Sequence, residues 1–391
     1  MSWSSPLFSI VLIARNEERT LPRLLNSLEP FIARAGEVLV MDTSSTDDTA
    51  SVAKRLGCQV VSVKDRFDSE LSEEHVASIE RNFCHRGEAP LAQPGQRLFN
   101  FGEARQAAGA LASNDFVLQL DASDEVSAFD IGSFNEWIGS GRAASFEYEL
   151  VYGVYRLRIA RFCDRNLFHW EGRIHEVLVP NTGADLSSRS KIRCDTQLVV
   201  SHSQQEKERN YLAGLALQVL ETPDKPRWWH FLGRQLFYHG RYNSAIAVLK
   251  THAAMETAWN AERSQSWCFI ANCLEAIEHQ AEAEEACHRA IELDHTRREP
   301  FLALAALCSR RRDFAGAVRW ARESLGIPRT NAYPEFAANY TWRPHSLLYW
   351  NLFWLGRRAE AREHWEKFVS MVPEEDIPKD HPRMFPKNCG N

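Results

Sequence analysis

Three acidic side chains, Asp121, Asp124 and Glu125, follow directly on an apolar run at residues 116–120. Carboxylate oxygens are the ligands that Mg²⁺ and Mn²⁺ prefer, and a cation held by them can neutralise a diphosphate. The same pattern also fits a buried strand that ends in an ordinary solvated turn. The rest of the sequence has to decide between a metal and phosphate site at a strand end and such a turn.

Strand-sized apolar runs alternate with amphipathic helical stretches in the first half of the chain. The runs lie at residues 8–14, 37–42, 58–63 and 116–120. The stretch after the first run repeats leucine at helical spacing, with Leu21, Leu24, Leu25 and Leu28. This alternation predicts βαβ units and an α/β fold class with a mostly parallel sheet.

The polar residues that follow these runs are predicted to share one crevice. In a parallel sheet, ligands bind beyond the carboxyl ends of the strands. The polar residues at those ends are Arg15, Asn16 and Glu17 after the first run, Asp42 after the second, and the acidic cluster after the run at 116–120. Three polar strand ends in one sheet favour a binding site over a casual turn.

Two further regions complete the first half. Residues 64–98 contain one predicted helix, 71–84, and a loop rich in Gly and Pro, which we interpret as an insertion. Strand-like runs return between residues 143 and 202.

After His202 the sequence predicts helices only. Trp229, Leu232 and Gly233, followed by Gly240, Tyr242 and Ala245, resemble the tetratricopeptide repeat. The small residue of the second helix recurs in four units, at Ala245, Ala283, Ala317 and Ala361. Such repeats stack into a solenoid with an extended binding surface, so we expect this region to bind another molecule, such as a protein partner.

Composition narrows the class of protein. A net charge of −6 over 391 residues argues against nucleic acid as a partner. The sequence has no apolar run of about 20 residues and no signal-peptide pattern, which predicts no transmembrane segment and leaves peripheral membrane contact open. Nine scattered cysteines fit reduced thiols in a cytoplasmic protein. Rossmann and P-loop glycine motifs are absent from the sequence.

Four segments together resemble a family 2 glycosyltransferase with a GT-A fold. They read "FSIVLIARNEERTLPRLLNSL", "EVLVMDTSSTDDT", "NFGEARQAAGALASNDFVLQLDASDE" and "WEGRIHEVLV". The match covers residues 7–202, with 64–98 unmatched. Bacterial members with the W-x-G-x-x-H-E segment and trailing repeats include sugar transferases of the cell envelope and of peptides or proteins.

The resemblance implies an inverting hexosyltransferase and a division of the chain. The donor would be a nucleotide-diphosphate sugar, with a UDP-sugar as first choice, and the acceptor a peptide, a protein or a cell-envelope glycan. The expected domains are a GT-A domain at 1–205 with 64–98 as an insertion or acceptor loop, tetratricopeptide-like repeats at 206–373, and a tail at 374–391. The repeats would bind the acceptor or a protein partner. The alternative is an inactive transferase-like scaffold that uses its repeats for protein–protein interaction.

The resemblance also assigns donor-binding residues. They are Ala14, Arg15, Asn16, Glu17, Asp42, Arg105, Asp121, Ala122, Ser123 and Trp170. Asp42 would accept from a base N–H, although it can also cap a helix or a turn. Arg105 would contact phosphate or form a salt bridge on its helix, and Trp170 would stack on a sugar or fill a core or hinge position.

Asp121 and Asp124 are the predicted ligands of Mn²⁺ or Mg²⁺. The family writes this element D-x-D, whereas Ser123 occupies the second Asp position here. Three interpretations remain open: Asp124 supplies the ligand, Ser123 binds through water, or the metal is weakly held or absent. His175 and His202 are equal candidates for a third ligand.

An inverting transfer needs a carboxylate to take the proton of the acceptor. Glu176 is the predicted catalytic base, and the acidic residues at 147, 149 and 171 compete with it.

Overall fold

The computed structural model describes residues 7–31, 37–152, 155–202, 211–330 and 336–378. The chain packs as two compact units, Met1–Val76 with Ala92–Gln218, and Ala77–Leu91 with Val219–Asn391. The predicted domain boundaries stay predictions, because residues 203–210, around the predicted division at 205, lie outside the described residues.

The first unit is built on one large mixed sheet. Its strands and helices are β1 Phe8–Ala14, α1 Leu21–Leu28, β2 Val38–Thr43, α2 Thr49–Arg55, β3 Gln59–Val63, β4 Asp68–Glu70, α3 Glu73–Phe83, β5 Arg97–Phe99, α4 Phe101–Ala110, β6 Phe116–Asp121, β7 Asp124–Phe129, α5 Ile131–Gly139, β8 Ala143–Tyr152, β9 Tyr155–Asp164, β10 Phe168–Glu171, β11 Val177–Pro180, β12 Ser190–Arg193, β13 Leu198–His202 and α6 Tyr211–Glu221. Among the described residues the sheet runs β3-β2-β1-β6-β9-β8-β13-β7, with β12 beside β8. The elements α3 and α6 each include residues of both units.

The central strands β2, β1 and β6 are parallel neighbours, as the apolar runs predict. The β1 strand is buried along almost its whole length, and Leu21, Leu24 and Leu28 of α1 belong to the same hydrophobic core. Aromatic rings pack against α5, where the ring centres of Phe134 and Phe146 lie 4.9 Å apart. The predicted fold class, a mostly parallel α/β sheet followed by a tetratricopeptide-like helical region, is confirmed.

The structure differs from the sequence prediction at the acidic cluster and agrees with it at the helix predicted for 71–84. A two-residue turn interrupts the cluster, because β6 ends at Asp121 and β7 starts at Asp124 and pairs antiparallel with β13. Side chains of β7 alternate between buried and exposed, but its two leading acids conceal that period-two signal. The predicted helix 71–84 is observed as α3, and the ends of the 64–98 segment are joined by pairing of β4 with β5.

The second unit is helical in its described residues. Its helices are α7 Pro226–Tyr238, α8 Tyr242–Ala254, α9 Asn260–Ala276, α10 Gln280–Leu293, α11 Glu299–Arg310, α12 Phe314–Leu325, α13 Ala337–Tyr340, α14 Trp342–Trp354 and α15 Arg358–Val369. The predicted small residues, Ala245, Ala283, Ala317 and Ala361, are all fully buried, one in the second helix of each of four pairs. Close packing of paired helices therefore explains the repeated alanine.

Two histidines are buried in this unit on either side of one hydroxyl. The Ser266 Oγ lies 2.8 Å from Nδ1 of His230 and 2.8 Å from Nδ1 of His252. A hydroxyl has one proton to donate, so it satisfies both rings only if one Nδ1 is unprotonated. Burial lowers the pKa of His252 to about 4, and burial together with the charge of His252 lowers that of His230 well below its ordinary value.

We expect the second unit to lose stability as the pH falls from about 6.5 to about 4. The unfolded chain takes up a proton on His252 through this range while the folded chain does not, so the free energy of unfolding falls by about 3 kcal/mol from this residue. Urea unfolding followed by tryptophan fluorescence measures it, since nine of the twelve tryptophans follow His202. His252→Asn should flatten the profile, whereas replacing the exposed His279 should not; equal slopes in all three proteins would contradict the assignment.

Candidate active site

The polar ends of three parallel strands meet at one edge of the sheet. The register places Ala14 opposite Asp42 and Ile13 opposite Asp121. The predicted convergence of the strand ends of β1, β2 and β6 is thus observed, and it follows from the shared direction of these strands.

The residues predicted to bind the nucleobase, Asn16 and Asp42, are held by hydrogen bonds to a neighbouring loop. Asn16 has a φ of 56°, and its side-chain oxygen accepts from the Thr46 N–H at 2.8 Å. Asp42 is buried, and its Oδ1 accepts from the Ser45 N–H at 3.0 Å. Within the described residues no hydrogen bond reaches Asp42 Oδ2.

The neighbouring residues Arg15 and Glu17 are held by the surrounding elements. Arg15 donates from Nη2 to Asp68 Oδ2 at 2.8 Å, and its guanidinium lies 4.8 Å from the ring centre of Phe99. The Glu17 N–H donates to Thr49 Oγ1 at 2.7 Å. These contacts order the loop after β1.

A buried charge network surrounds Asp121 at the end of β6. Arg105 donates from Nη2 to Asp121 Oδ1 at 2.5 Å and from Nε to Glu176 Oε1 at 2.6 Å. Arg161 of β9 donates from Nη1 to Asp121 Oδ2 at 2.6 Å. Arg105 is almost fully buried, so it joins two carboxylates away from bulk water.

Asp121, Asp124 and His202 lie close enough together to hold a metal ion. Their ligand atoms all lie within 4.8 Å of one another. Asp124 accepts the Asp121 N–H on Oδ2 at 2.8 Å, and its Oδ1 lies 2.7 Å from His202 Nδ1. The pairing of β7 with β13 places Asp124 directly opposite His202, and Tyr152 stacks on the His202 ring with 5.8 Å between ring centres.

The pKa values in this group are set by burial and by neighbouring charges. Burial opposes ionisation of Asp121, but the charges of Arg161 and Arg105 outweigh burial and hold its pKa well below the ordinary value. Burial raises the pKa of Asp124, and the hydrogen bond to Asp124 raises that of His202. Asp121 is therefore held as a carboxylate, and a cation bound between Asp124 and His202 would replace the hydrogen bond that joins them.

The turn between β6 and β7 contains Ala122 and Ser123. Ala122 is buried, and the Ser123 carbonyl accepts from Arg23 Nη2 at 3.0 Å. The Ser123 hydroxyl lies 3.4 Å from His202 Nδ1. Asp124, one position further along, provides the carboxylate of the group instead of Ser123.

The W-x-G-x-x-H-E segment approaches the network through Glu176 and Trp170. The Trp170 ring centre lies 5.2 Å from Cζ of Arg105, and its backbone N–H donates to Gln106. His175, at a φ of 56°, stacks on Tyr211 with 5.7 Å between ring centres and is not a member of the metal-type group. His175 and Glu176 precede β11, and they contact different partners.

The other acidic residues considered for the catalytic base have different neighbours from those of Glu176. Glu147 pairs with Lys191 at 2.8 Å, Glu149 lies opposite Arg158 in the pairing of β8 with β9, and Glu171 lies opposite Val177. Glu176 is joined to Asp121 through one guanidinium.

Sequence reasoning missed Arg161, Arg23 and Tyr152. Arg161 lies in β9 next to the fully buried Phe162, but two other arginines, Arg156 and Arg158, precede it in the same strand, so the sequence does not single it out. Arg23 and Tyr152 are not singled out either, because their partners lie far away in the sequence.

Gly102 brings the start of α4 against the W-x-G-x-x-H-E segment. Its N–H donates to the Gly172 carbonyl at 3.2 Å, and a Cβ on Gly102 would lie 2.4 Å from that oxygen. The first turn of α4, which positions Arg105, is thereby fixed to the loop that positions Glu176.

Gly102→Ala should therefore impair turnover more than folding. The loop or the helix must shift by about 1 Å, a displacement that lowers rates by up to about 100-fold. Gly139→Ala is the control, since a Cβ there meets Leu7 at 3.9 Å, an ordinary contact. Equal donor turnover in both variants would show that this approach is unimportant.

Comparison with known proteins supports the resemblance over part of the chain. No protein-family model matches it. It is 31% identical over 119 residues, 30% of the chain, to an uncharacterized glycosyltransferase of Rickettsia typhi (strain ATCC VR-144 / Wilmington). It is 46% identical over 55 residues, 14% of the chain, to the 4,4'-diaponeurosporenoate glycosyltransferase of Staphylococcus haemolyticus (strain JCSC1435). These matches cover 28% and 14% of the relatives, so the chain spans less than a third of the length of the curated relatives it matches.

Solved structures match the helical part. The crystal structure of MamA has a TM-score of 0.34 and 17% identity, covering 41% of this chain and 86% of that one. A thermophilic TPR protein from Thermus thermophilus has a TM-score of 0.32 and 17% identity, covering 42% and 85%. Among the described residues, no helix combines the length and the apolar character needed to cross a bilayer. The predicted resemblance is confirmed to this extent: the chain is similar to glycosyltransferases in part of its length, and its helical region contains the four helix pairs with buried alanines that the repeat pattern predicts.

Proposed function

We propose that this protein is an inverting glycosyltransferase that uses a nucleotide-diphosphate sugar. The observation that carries the proposal is the group Asp121, Asp124 and His202, located where three parallel strands end and connected through Arg105 to Glu176. Two carboxylates and a histidine suit a divalent cation, and a carboxylate nearby can serve as a base. Similarity to glycosyltransferases supports the same reaction class.

The donor would lie across the ends of β1, β2 and β6. Asp42 and the loop at residues 14–17 hold the nucleobase and ribose, with Asp42 Oδ2 accepting from the base. Arg105 and residues 121–123 contact the diphosphate or the sugar, and Trp170 borders the sugar. When bound, a divalent cation supplies positive charge against the leaving diphosphate.

Asp121, Asp124 and His202 would hold that cation. Of the three interpretations of the Ser123 position, this is the one in which Asp124 supplies the ligand. Asp124 is 1% exposed, and its oxygens lie beside Asp121 and His202. His175, the other candidate for the third ligand, stays a prediction from the sequence. Mn²⁺ and Mg²⁺ both fit this set of oxygen and imidazole donors.

Glu176 would take the proton of the acceptor hydroxyl. Its carboxylate is held by Arg105, which also holds Asp121, so the base and the diphosphate site keep a fixed relation. The acceptor is a peptide, a protein or a cell-envelope glycan. In the second unit, a groove of about 800 Å³ with Arg289 stacked on Trp267 at 5.0 Å is a candidate surface for an acceptor or partner.

Donor binding is the direct test. The purified protein is heated with UDP-, GDP-, CMP- and dTDP-sugars, with and without Mn²⁺, and donor hydrolysis is then followed for any sugar that stabilises it. A ligand at 100 times its dissociation constant stabilises by roughly 2.7 kcal/mol, which shifts the melting temperature measurably. If no donor stabilises the protein and none is hydrolysed, the protein is better explained as a transferase-like scaffold.

The eight described cysteines, all free thiols, support the cytoplasmic location predicted from sequence.

A further inference from the structure

Both oxygens of Asp121 are already occupied by arginines. Arg105 binds Oδ1 and Arg161 binds Oδ2, at 2.5 and 2.6 Å. A cation that approached Asp121 would meet two guanidinium charges a few ångströms away, and like charges repel strongly in a site with little water. In the free protein, the arginines therefore compete with a cation for Asp121.

The two arginines differ in how firmly they are held. Arg105 is 3% exposed and also binds Glu176, so it cannot leave Asp121 without disturbing a second carboxylate. Arg161 is 19% exposed, and within the described residues its hydrogen bonds go to Asp121 alone. Arg161 is thus the arginine that can change its partner.

A cavity gives an anion access to this pair. It has a volume of about 290 Å³, and both arginines line it together with Trp170, Gln106 and Asn166. None of the described residues that line it is a carboxylate. A diphosphate entering beside these guanidiniums would gain charge-assisted hydrogen bonds, which are stronger than neutral ones.

We propose that Arg161 is a diphosphate-binding residue that exchanges Asp121 for the diphosphate of the donor. This inference rests on the proposed function. The exchange leaves Asp121 Oδ2 available to the cation, so the nucleotide strengthens cation binding by removing a competitor as well as by supplying ligands. Arg161 repels the cation in the free protein and attracts the nucleotide. Its replacement should therefore strengthen cation binding and weaken nucleotide binding.

The test measures cation and diphosphate separately in Arg161→Gln. Mn²⁺ binding without nucleotide is followed by electron paramagnetic resonance of the free ion, and we expect about 3- to 10-fold tighter binding once one repelling charge is removed. Binding of inorganic pyrophosphate and of UDP is measured by calorimetry in EDTA, and we expect each to weaken about tenfold, the loss of one charge-assisted bond. Arg158→Gln is the matched control, because Arg158 lies on the same strand but pairs with Asp195 near solvent.

The exchange is supported if Arg161→Gln binds Mn²⁺ more tightly and binds pyrophosphate and UDP more weakly than the wild type. Arg158→Gln should show neither change. Weaker Mn²⁺ binding, or unchanged pyrophosphate and UDP binding, would overturn it. A wild-type protein that binds neither phosphate probe would also overturn it, and the donor panel then shows independently whether the proposed function stands.

Discussion

Asp121→Asn should lower sugar transfer and donor hydrolysis by about 1,000-fold or more. The asparagine keeps the size of the side chain but removes the negative charge that two arginines and the proposed cation share. A cation that offsets developing charge contributes several kcal/mol to the transition state, and each 1.36 kcal/mol is a factor of ten in rate. Initial rates of donor hydrolysis and of transfer measure the loss.

The matched control is Glu125→Gln, which removes one charge four residues away. Glu125 is half exposed and lies 3.7 Å from Arg23, so its variant should keep nearly full activity. The melting temperature of both variants separates a catalytic effect from misfolding. If Asp121→Asn stayed folded and retained a tenth of the wild-type rate, Asp121 would have no central role, and the scaffold alternative would gain weight.

The parts of the site that sequence could predict are those fixed by strand direction. Asp42 and Asp121 each follow an apolar run, and parallel strands bring such residues to the same edge of the sheet. Local pattern is sufficient here, because each residue needs only its own strand to be assigned correctly. The buried alanines of the helical repeats were predictable for the same reason, since their spacing reflects local helix packing.

The parts that could not be predicted depend on pairing between distant strands. Asp124 meets His202 across the pairing of β7 with β13, 78 residues apart, and β7 begins with acids that resemble a turn. Arg161 reaches Asp121 from β9, which runs antiparallel to β6. Sequence placed His175 and His202 on an equal footing, whereas strand pairing puts His202 beside Asp124.

The charge network also makes a large prediction for stability. Arg105→Met should destabilise the first unit by about 3 kcal/mol, because it leaves the largely buried Glu176 without its arginine and the partly exposed Asp121 with Arg161 alone. Arg105→Lys should be intermediate, since a single ammonium cannot place donors where Nε and Nη2 lie. Arg158→Met, which removes a partly exposed arginine, should change stability by less than about 1 kcal/mol.

Hydrogen exchange of the β6 amides, followed by mass spectrometry, measures this local loss without contributions from the helical unit. A triple variant, Arg105→Met with Asp121→Asn and Glu176→Gln, distinguishes charge from packing. If uncompensated charge causes the loss, neutralising both carboxylates should restore much of the protection, because replacing a whole buried ion group is far less harmful than breaking it. A triple variant as unstable as Arg105→Met would instead show that the arginine stabilises β6 through the packing of its stem. In that case the network around Asp121 would serve the chemistry of the site more than the stability of the fold.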